Sequence, residues 1–451
     1  MNLQVRKIYE ALFALEELRE LYRQALPTGF DDAEELQRST TLARLETLLR
    51  DLQEGTGNPI QHVSAGIELR TREEEFININ PIQAGGRLTL DARKALIAYG
   101  DGYSVCDRCL EGRLDKIKKP PIEAFHADLA AFVGMDEVRL VPGARRGFQA
   151  VTSSLIERGD VVLVSDLAHY TEFLAVELEG GVVKEVPTGA NHLVTGEAVA
   201  ETIERTKEET GGLPKLIMIE LVDYSYGNVH DVAGVGKVAQ AYGIPFLCNG
   251  AYAVGMMPVN GKEIGADFLV GSGHKGMAAV APSGILATTA DWAPTVFRSS
   301  RIMGDLTSRC FETKESELMG CTLMGGTVVS LMASFPAVKE RVQHWSDEVA
   351  KSNYFVREFM RIDGNLVLSE YPRRHTLTRV DTRASFDRIA KTDKRKGYFL
   401  ADELKERKIT GIFEGSTRVW KLNTYGLSWK RVKYLSEAFI EIATTHGLPI
   451  R

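Results

Sequence analysis

The run Ala266-Asp-Phe-Leu-Val-Gly-Ser-Gly-His-Lys275 constrains this chain most. Three apolar residues, Phe268 to Val270, lead into small residues and a His-Lys pair. That pattern predicts a short buried strand that delivers one lysine to a tight, glycine-lined turn. A lone lysine after a strand is usually solvated. One held away from water loses its proton more easily and can form a Schiff base with an aldehyde.

The residues before it favour the second reading. Ile244-Pro-Phe-Leu-Cys-Asn-Gly-Ala-Tyr252 predicts another buried strand ending in Asn249. It follows a predicted helix, Val232 to Tyr242, and a predicted strand, Lys215 to Leu221. Strand, turn, helix and strand in that order give an open α/β sheet, whose ligands sit at the carboxyl ends of the strands. A polar side chain at one strand end and a lysine at the next can meet one flat cofactor. Pyridoxal phosphate needs that pair, a partner for its ring nitrogen and an amine for its aldehyde. A phosphate site is offered by Val138-Arg-Leu-Val-Pro-Gly-Ala-Arg-Arg-Gly-Phe-Gln-Ala-Val151, which reads as strand, glycine turn and helix start. Helix N-terminal amides bind anions, and Arg145 adds a fork of donors. His169, beyond the predicted strand Asp160 to Ser165, could stack on a pyridine ring or be a hydrogen-bonded structural histidine.

Composition agrees with a globular enzyme. Of 451 residues, 44% are hydrophobic and 26% charged, enough for a large core and more than one ordinary domain. No run of 18 apolar residues predicts a membrane helix. The first residues lack a signal-peptide pattern, and five irregularly spaced cysteines do not form a disulfide framework, so a reduced cytoplasm is expected. Three parts are expected. Residues 1–70 read as helices with apolar stripes at Val5, Ile8, Leu12, Leu15 and at Leu42, Leu45, Leu49, Leu52. Residues 71–330 read as the α/β domain, and 331–451 as a smaller α+β domain.

The net charge of -6 is uneven: from Lys351 to Arg451 there are 21 Lys+Arg and 12 Asp+Glu. The densest basic stretch holds Arg373, Arg374, Arg379, Arg383, Arg388, Lys391, Lys394, Arg395 and Lys396, with Tyr371, Phe386 and Tyr398 interleaved. Such a face suits RNA, or is simply a solvated surface. Cys106 and Cys109 form a C-x-x-C in a glycine-rich loop, and Cys321 lies in a second one. Three thiols brought together by folding could hold a persulfide or iron–sulfur chemistry; unrelated free thiols are the alternative. Cys248, inside a predicted strand, reads as a small buried hydrophobe.

The runs Gly100-Asp-Gly-Tyr-Ser-Val-Cys106-Asp-Arg-Cys109, Gly112-Arg-Leu-Asp115, Pro120-Pro-Ile122, Gly143-Ala-Arg145, Ala168-His-Tyr-Thr171, Gly271-Ser-Gly-His-Lys275 and Gly320-Cys-Thr322 together resemble the O-phosphoseryl-tRNA:cysteinyl-tRNA synthase family, over about residues 76 to 451. The resemblance implies a fold type I pyridoxal-phosphate transferase carrying an N-terminal helical extension. It implies a Schiff base on Lys275, and cofactor contacts from Ala144, Arg145, Asn249, Ser272, Gly273 and His274, with His169 stacked on the ring. It assigns sulfur handling to Cys106, Cys109 and Cys321, through a persulfide or an iron–sulfur cluster. The implied partners are tRNA(Cys) carrying phosphoserine, a sulfur donor and a second copy of the chain in a homodimer. The N-terminal helices could dock phosphoseryl-tRNA synthetase. Three positions depart from the family pattern: Phe148 where a basic residue is usual, Ala84 where arginine is usual and Gly276 where serine is usual. An enzyme of the same fold acting on a free amino acid, such as a cysteine desulfurase or a phosphoserine sulfhydrylase, is the alternative, and an RNA-binding scaffold on a decayed enzyme fold is another.

Overall fold

The computed structural model describes residues 3–25, 29–54, 76–82, 86–99, 113–318 and 325–451. These fall into two compact units, residues 1–78 with 404–410 and residues 79–403 with 411–451.

In the first unit, α1 (Leu3–Gln24) and α2 (Asp32–Glu54) pack together. Their shared core is Ala11, Ala14, Leu18, Leu45 and Leu48, with Leu42 against it. The expected stripe on α1 is therefore displaced by one residue. Ile8 and Leu15 are about half exposed, whereas Lys7, Ala11, Ala14 and Leu18 face inward. Small alanines let the two helices approach closely, and the buried Lys7 ammonium pairs with the Asp51 carboxylate at 3.5 Å. On α2 the expected stripe holds at Leu42 and Leu45 and fails at Leu49, which is exposed. The two-residue strands β1 (Ile77–Asn78) and β11 (Ile409–Thr410) pair in parallel.

The second unit is built on a seven-stranded sheet. Its strands are β2 (Glu137–Val141), β3 (Val161–Ser165), β4 (Val182–Val186), β5 (Leu216–Glu220), β6 (Phe246–Asn249), β7 (Phe268–Ser272) and β8 (Gly284–Thr288), in the spatial order β2-β8-β7-β6-β5-β3-β4. Strands β4, β3, β5, β6 and β7 run parallel; β8 is antiparallel to both of its neighbours. The expected strands before Asn249 and before Lys275 are thus adjacent in the sheet. Every residue of β5, β6, β7 and β8 is buried, as strands covered on both faces must be. Alternate side chains feed two cores. Leu163, Ile217, Ile219, Cys248 and Leu269 enter one, and Val162, Val164, Met218, Leu247 and Val270 the other. The helices that cover them include α4 (Ile122–Val133), α5 (Ala144–Leu155), α6 (Tyr170–Leu178), α7 (Gly196–Thr210), α8 (Val232–Tyr242) and α9 (Gly325–Gln343), and α3 (Leu90–Ala98) packs on α9.

A three-stranded antiparallel sheet in the order β12-β10-β9 follows, made of β9 (Leu366–Val367), β10 (Leu377–Asp381) and β12 (Val419–Asn423). The helices α10 (Trp345–Phe359) and α11 (Trp429–Thr445) pack on each other beside it. Phe355, Phe359, Trp420 and Phe439 meet there, the last two stacked with centroids 5.7 Å apart. Among the described residues no helix is long and apolar enough to cross a membrane.

Candidate active site

Strand β7 ends at Ser272 and the chain turns sharply through Gly273 and His274 to Lys275. A Cβ at Gly273 would lie 2.4 Å from Ser283 Oγ, so only glycine lets the turn close on the start of β8. The Gly273 amide donates to the Ser283 carbonyl at 2.7 Å. Lys275 Nζ then sits 3.7 Å from the centre of the Tyr252 ring, and among the described residues it has no carboxylate partner. Burial, and secondarily the charge of Lys421, bring its pKa down to about 7. Tyr252 is held in turn by His375, a buried imidazole whose Nε2 lies 3.0 Å from the Tyr252 carbonyl. Burial takes that histidine's pKa down to about 3, so it stays neutral and donates.

Around this turn lie polar groups with no protein partner. Ser272 Oγ and Ser283 Oγ are both buried and unbonded. Helix α5 begins beside them, its N-cap Gly143 at φ 94° and supplying no side-chain cap. A Cβ at Gly284 would lie 2.9 Å from the Ala144 nitrogen, so β8 runs close against this helix start. Two orphan hydroxyls and the first amides of a 12-residue helix suit a phosphate. Arg145 is exposed; Arg146 is half-buried and its Nε has no partner. The fit to a cofactor phosphate is good.

Asn249 ends β6, beside Val270 of β7. Its amide is fixed at both ends: Nδ2 donates to Glu172 Oε2 at 2.9 Å and Oδ1 accepts from the Ala251 amide at 3.0 Å. Glu172, on α6, is fully buried, and burial plus the nearby Glu220 raise its pKa well above the usual carboxylate range. Glu220, at the end of β5, accepts from Ser165 Oγ at 2.6 Å. This carboxyl pair behind Asn249 was invisible to motif reading, because its members come from β5 and α6.

His169 caps α6 through its Nδ1, 2.8 Å from Thr171 Oγ1. Burial lowers its pKa, and the charges of Lys275 and Lys421 lower it further. Its ring meets the edge of Tyr224 at 5.1 Å. Lys421, on β12, donates to the Tyr224 carbonyl at 2.7 Å. Lys275, His169, Asn249, Ser272, Gly273, His274, Ala144 and Arg145 thus come from separate stretches of the chain to the carboxyl edge of one sheet and its adjoining turns. His274 directs Nδ1 to the Ser283 carbonyl at 3.2 Å.

Comparison with known proteins decides the family. The chain is 59% identical over 452 residues to "O-phospho-L-seryl-tRNA:Cys-tRNA synthase 2" of Methanoregula boonei, with 100% of each chain covered. The chain belongs to the O-phospho-L-seryl-tRNA:Cys-tRNA synthase family. A family profile described as O-phosphoseryl-tRNA(Sec) selenium transferase also matches residues 158–450. Among solved structures, SepCysS in complex with the N-terminal domain of SepCysE superposes with a TM-score of 0.76 at 43% identity, covering 84% of this chain and 97% of that one. The lyase C-DES, with glycine covalently linked to its PLP cofactor, superposes at a TM-score of 0.60 and 16% identity, covering 84% and 99%, and shares the fold. The fold is that of fold type I pyridoxal-phosphate enzymes, as the resemblance implied.

Cys106, Cys109, Cys321 and Ala84 lie outside the described residues, and among those described no group of His, Cys, Asp or Glu could hold a metal ion. Phe148 is buried in the sheet core with Val141, Val164 and Val270, so a basic side chain there would be desolvated without a partner. At Gly276 a Cβ would lie 2.1 Å from the Val254 carbonyl, so serine would displace the 254–256 turn. Cys248 is buried as expected, and its pKa is raised by burial.

The basic stretch is only partly a surface. Arg373 is 2% exposed and serves the fold. Its guanidinium donates to the carbonyls of Glu370 at 2.8 Å, Tyr226 at 3.3 Å and Gly227 at 2.7 Å, to the Leu377 carbonyl, and to Asn228 Oδ1 at 3.2 Å. Arg374 pairs with Glu370, Arg383 with Asp381, and Arg395 with Asp393 and Glu403. Arg388, Lys394 and Lys396 remain exposed, as does Lys391, 3.5 Å from Asp387.

Proposed function

We infer that this chain converts O-phosphoseryl-tRNA(Cys) to cysteinyl-tRNA(Cys) with pyridoxal 5'-phosphate held on Lys275. The observation that carries the reading is Lys275 itself, at the end of a buried strand, without a carboxylate partner among the described residues and with its pKa brought to about 7. A lysine so poised is available as an amine near neutral pH. Ser272, Gly273 and the amides of Ala144 and Arg145 would hold the cofactor phosphate. Asn249, braced by Glu172, would face the ring nitrogen, and His169 would lie against the ring. When bound, the cofactor supplies an electron sink for the substrate's Cα.

The residues then divide the work. Lys275 Nζ takes the Cα proton. The Cβ–O bond breaks and its electron pair leaves with the phosphate. A sulfur nucleophile adds at Cβ, and the proton returns to Cα from Lys275. Cys106, Cys109 and Cys321 would carry that sulfur through an iron–sulfur cluster or as a persulfide. On the persulfide route its outer sulfur would add at Cβ to give a mixed disulfide, and a second of these thiols would open it to free the product thiol. An external thiol reductant would return the resulting cysteine pair to its reduced form. The enzyme would work as a cytoplasmic homodimer, supplied by a separate sulfur donor, with the N-terminal helices available to dock phosphoseryl-tRNA synthetase. The test is turnover of phosphoseryl-tRNA with sulfide, against free O-phosphoserine. Cysteine formed on tRNA alone supports the reading. Equal turnover of free O-phosphoserine would shift it to an enzyme acting on free amino acids.

A further inference from the structure

Two cations of the three-stranded sheet, Arg379 and Lys421, have no part in the reading above. Arg379 and Lys421 are direct cross-strand partners in the register of β10 and β12. Directly opposed like charges destabilise a sheet, so their pairing asks for a compensating anion. Among the described residues no carboxylate forms an ion pair with either. Arg379 differs in this from Arg374, Arg383 and Arg395, each of which has an acid beside it. Both instead rest on aromatic rings. The Arg379 guanidinium lies 4.8 Å from the centre of Tyr226, and Lys421 Nζ 5.0 Å from that of Tyr224. Tyr226 stacks in turn on His192 at 3.9 Å and 10°. The Tyr224–Tyr226 segment is rigid, because Asp223 accepts from the amides of Ser225 and Asn228 at 2.8 Å each and from that of Tyr226. Asp223 is the acid whose charge reaches Lys421, and those three amides already occupy it.

The geometry points to Arg379 and Lys421 as the seat of the substrate's phosphate monoester, apart from the cofactor-phosphate cradle at α5. This rests on the function inferred above and adds the group that recognises the leaving phosphate. Both side chains are half-buried, so a dianion placed between them is held by charge-assisted hydrogen bonds partly shielded from water. Lys421 also lowers the pKa of Lys275 and of His169. An anion seated on Lys421 offsets that cation, which ties arrival of the phosphoryl group to the proton affinity of the lysine that must take the Cα proton. Charge builds on the phosphate as it departs, and the seat stabilises it there.

The test uses holoenzyme with inorganic phosphate as the probe, measured by calorimetry, and phosphoseryl-tRNA and seryl-tRNA as the two RNA ligands. Arg379 donates no side-chain hydrogen bond within the described protein, so Arg379→Gln should fold and bind cofactor with an unchanged spectrum. The variant should bind inorganic phosphate at least about tenfold more weakly, since a hydrogen bond to a charged group is worth about 1.5–3 kcal/mol, and the KM for phosphoseryl-tRNA should rise in step. Lys421→Gln should do the same. Seryl-tRNA, which lacks the monoester, should bind both variants as it binds the parent. Unchanged phosphate affinity in both variants would overturn the proposal. So would an equal loss of seryl-tRNA binding, which would assign the cations to the tRNA backbone. A parent enzyme that binds phosphate through Arg379 but never turns over phosphoseryl-tRNA would sink the functional reading and leave the seat standing.

Discussion

Replacing Arg373 with methionine tests whether the basic stretch is a surface or a support. Five acceptors share its guanidinium: four backbone carbonyls and Asn228 Oδ1. Hydrogen bonds to charged groups contribute about 1.5–3 kcal/mol each, but five of them do not sum. Burial opposes the charge, taking the pKa down to about 10, and Nε has no partner. Breaking such a buried polar cluster costs about 3–5 kcal/mol. Because a domain of 150–250 residues loses roughly 2–4 °C per kcal/mol, the thermal midpoint of Arg373→Met should fall by roughly 6–20 °C. Scanning calorimetry of the purified variant measures this. The salt slope of tRNA binding, taken at a temperature where the variant is folded, should equal the parent's. A variant of parental stability whose tRNA affinity falls and whose salt slope flattens would refute the placement of Arg373 in the interior.

Other outcomes follow from the same geometry. Arg388, Lys391, Lys394 and Lys396 are exposed cations of that stretch, so reversing them should weaken tRNA binding and reduce the salt slope by about 0.7–0.9 for each phosphate no longer neutralised; an unchanged slope makes them a solvated face. Lys275 has a folded pKa of about 7 against an ordinary 10.5, so the unfolded chain binds the extra proton in that window and the apoprotein should gain stability as pH rises from 7 to 10.5. Urea titrations should show that gain shrinking in Lys275→Met, and an identical pH profile would contradict it. Single Cys106→Ala, Cys109→Ala and Cys321→Ala variants should release phosphate nearly normally yet form little cysteine; parental cysteine formation in all three would remove the thiols from the chemistry. Deleting residues 1–70 should spare turnover of supplied phosphoseryl-tRNA, and complete loss in a folded, cofactor-loaded protein would place the extension in the active site.

The sheet was legible because β5, β6 and β7 are short apolar runs with almost nothing polar inside them, and such runs have few places to go but the centre of a covered sheet. Lys275 and Asn249 were legible because each ends such a run. Arg379 and Lys421 were not singled out, because their meaning lies in the register of β10 against β12 and in a contact with the distant Tyr224–Tyr226 segment. Arg373 was misread because charge counting cannot see that five acceptors converge on one guanidinium. The α1 stripe slipped by one residue because alanines, only weakly apolar, make the tighter helix contact. Phe148, where the family pattern has a basic residue, is buried in the core with Val141, Val164 and Val270, a placement that a motif comparison does not show.

The central claim is that Lys275 carries the cofactor. Reduction of the holoenzyme with borohydride, digestion and mass mapping test it most directly. A pyridoxyl group should be found on the peptide containing Lys275 and be absent from Lys275→Ala. A pyridoxyl group on any other lysine, or its retention in that variant, would contradict the account.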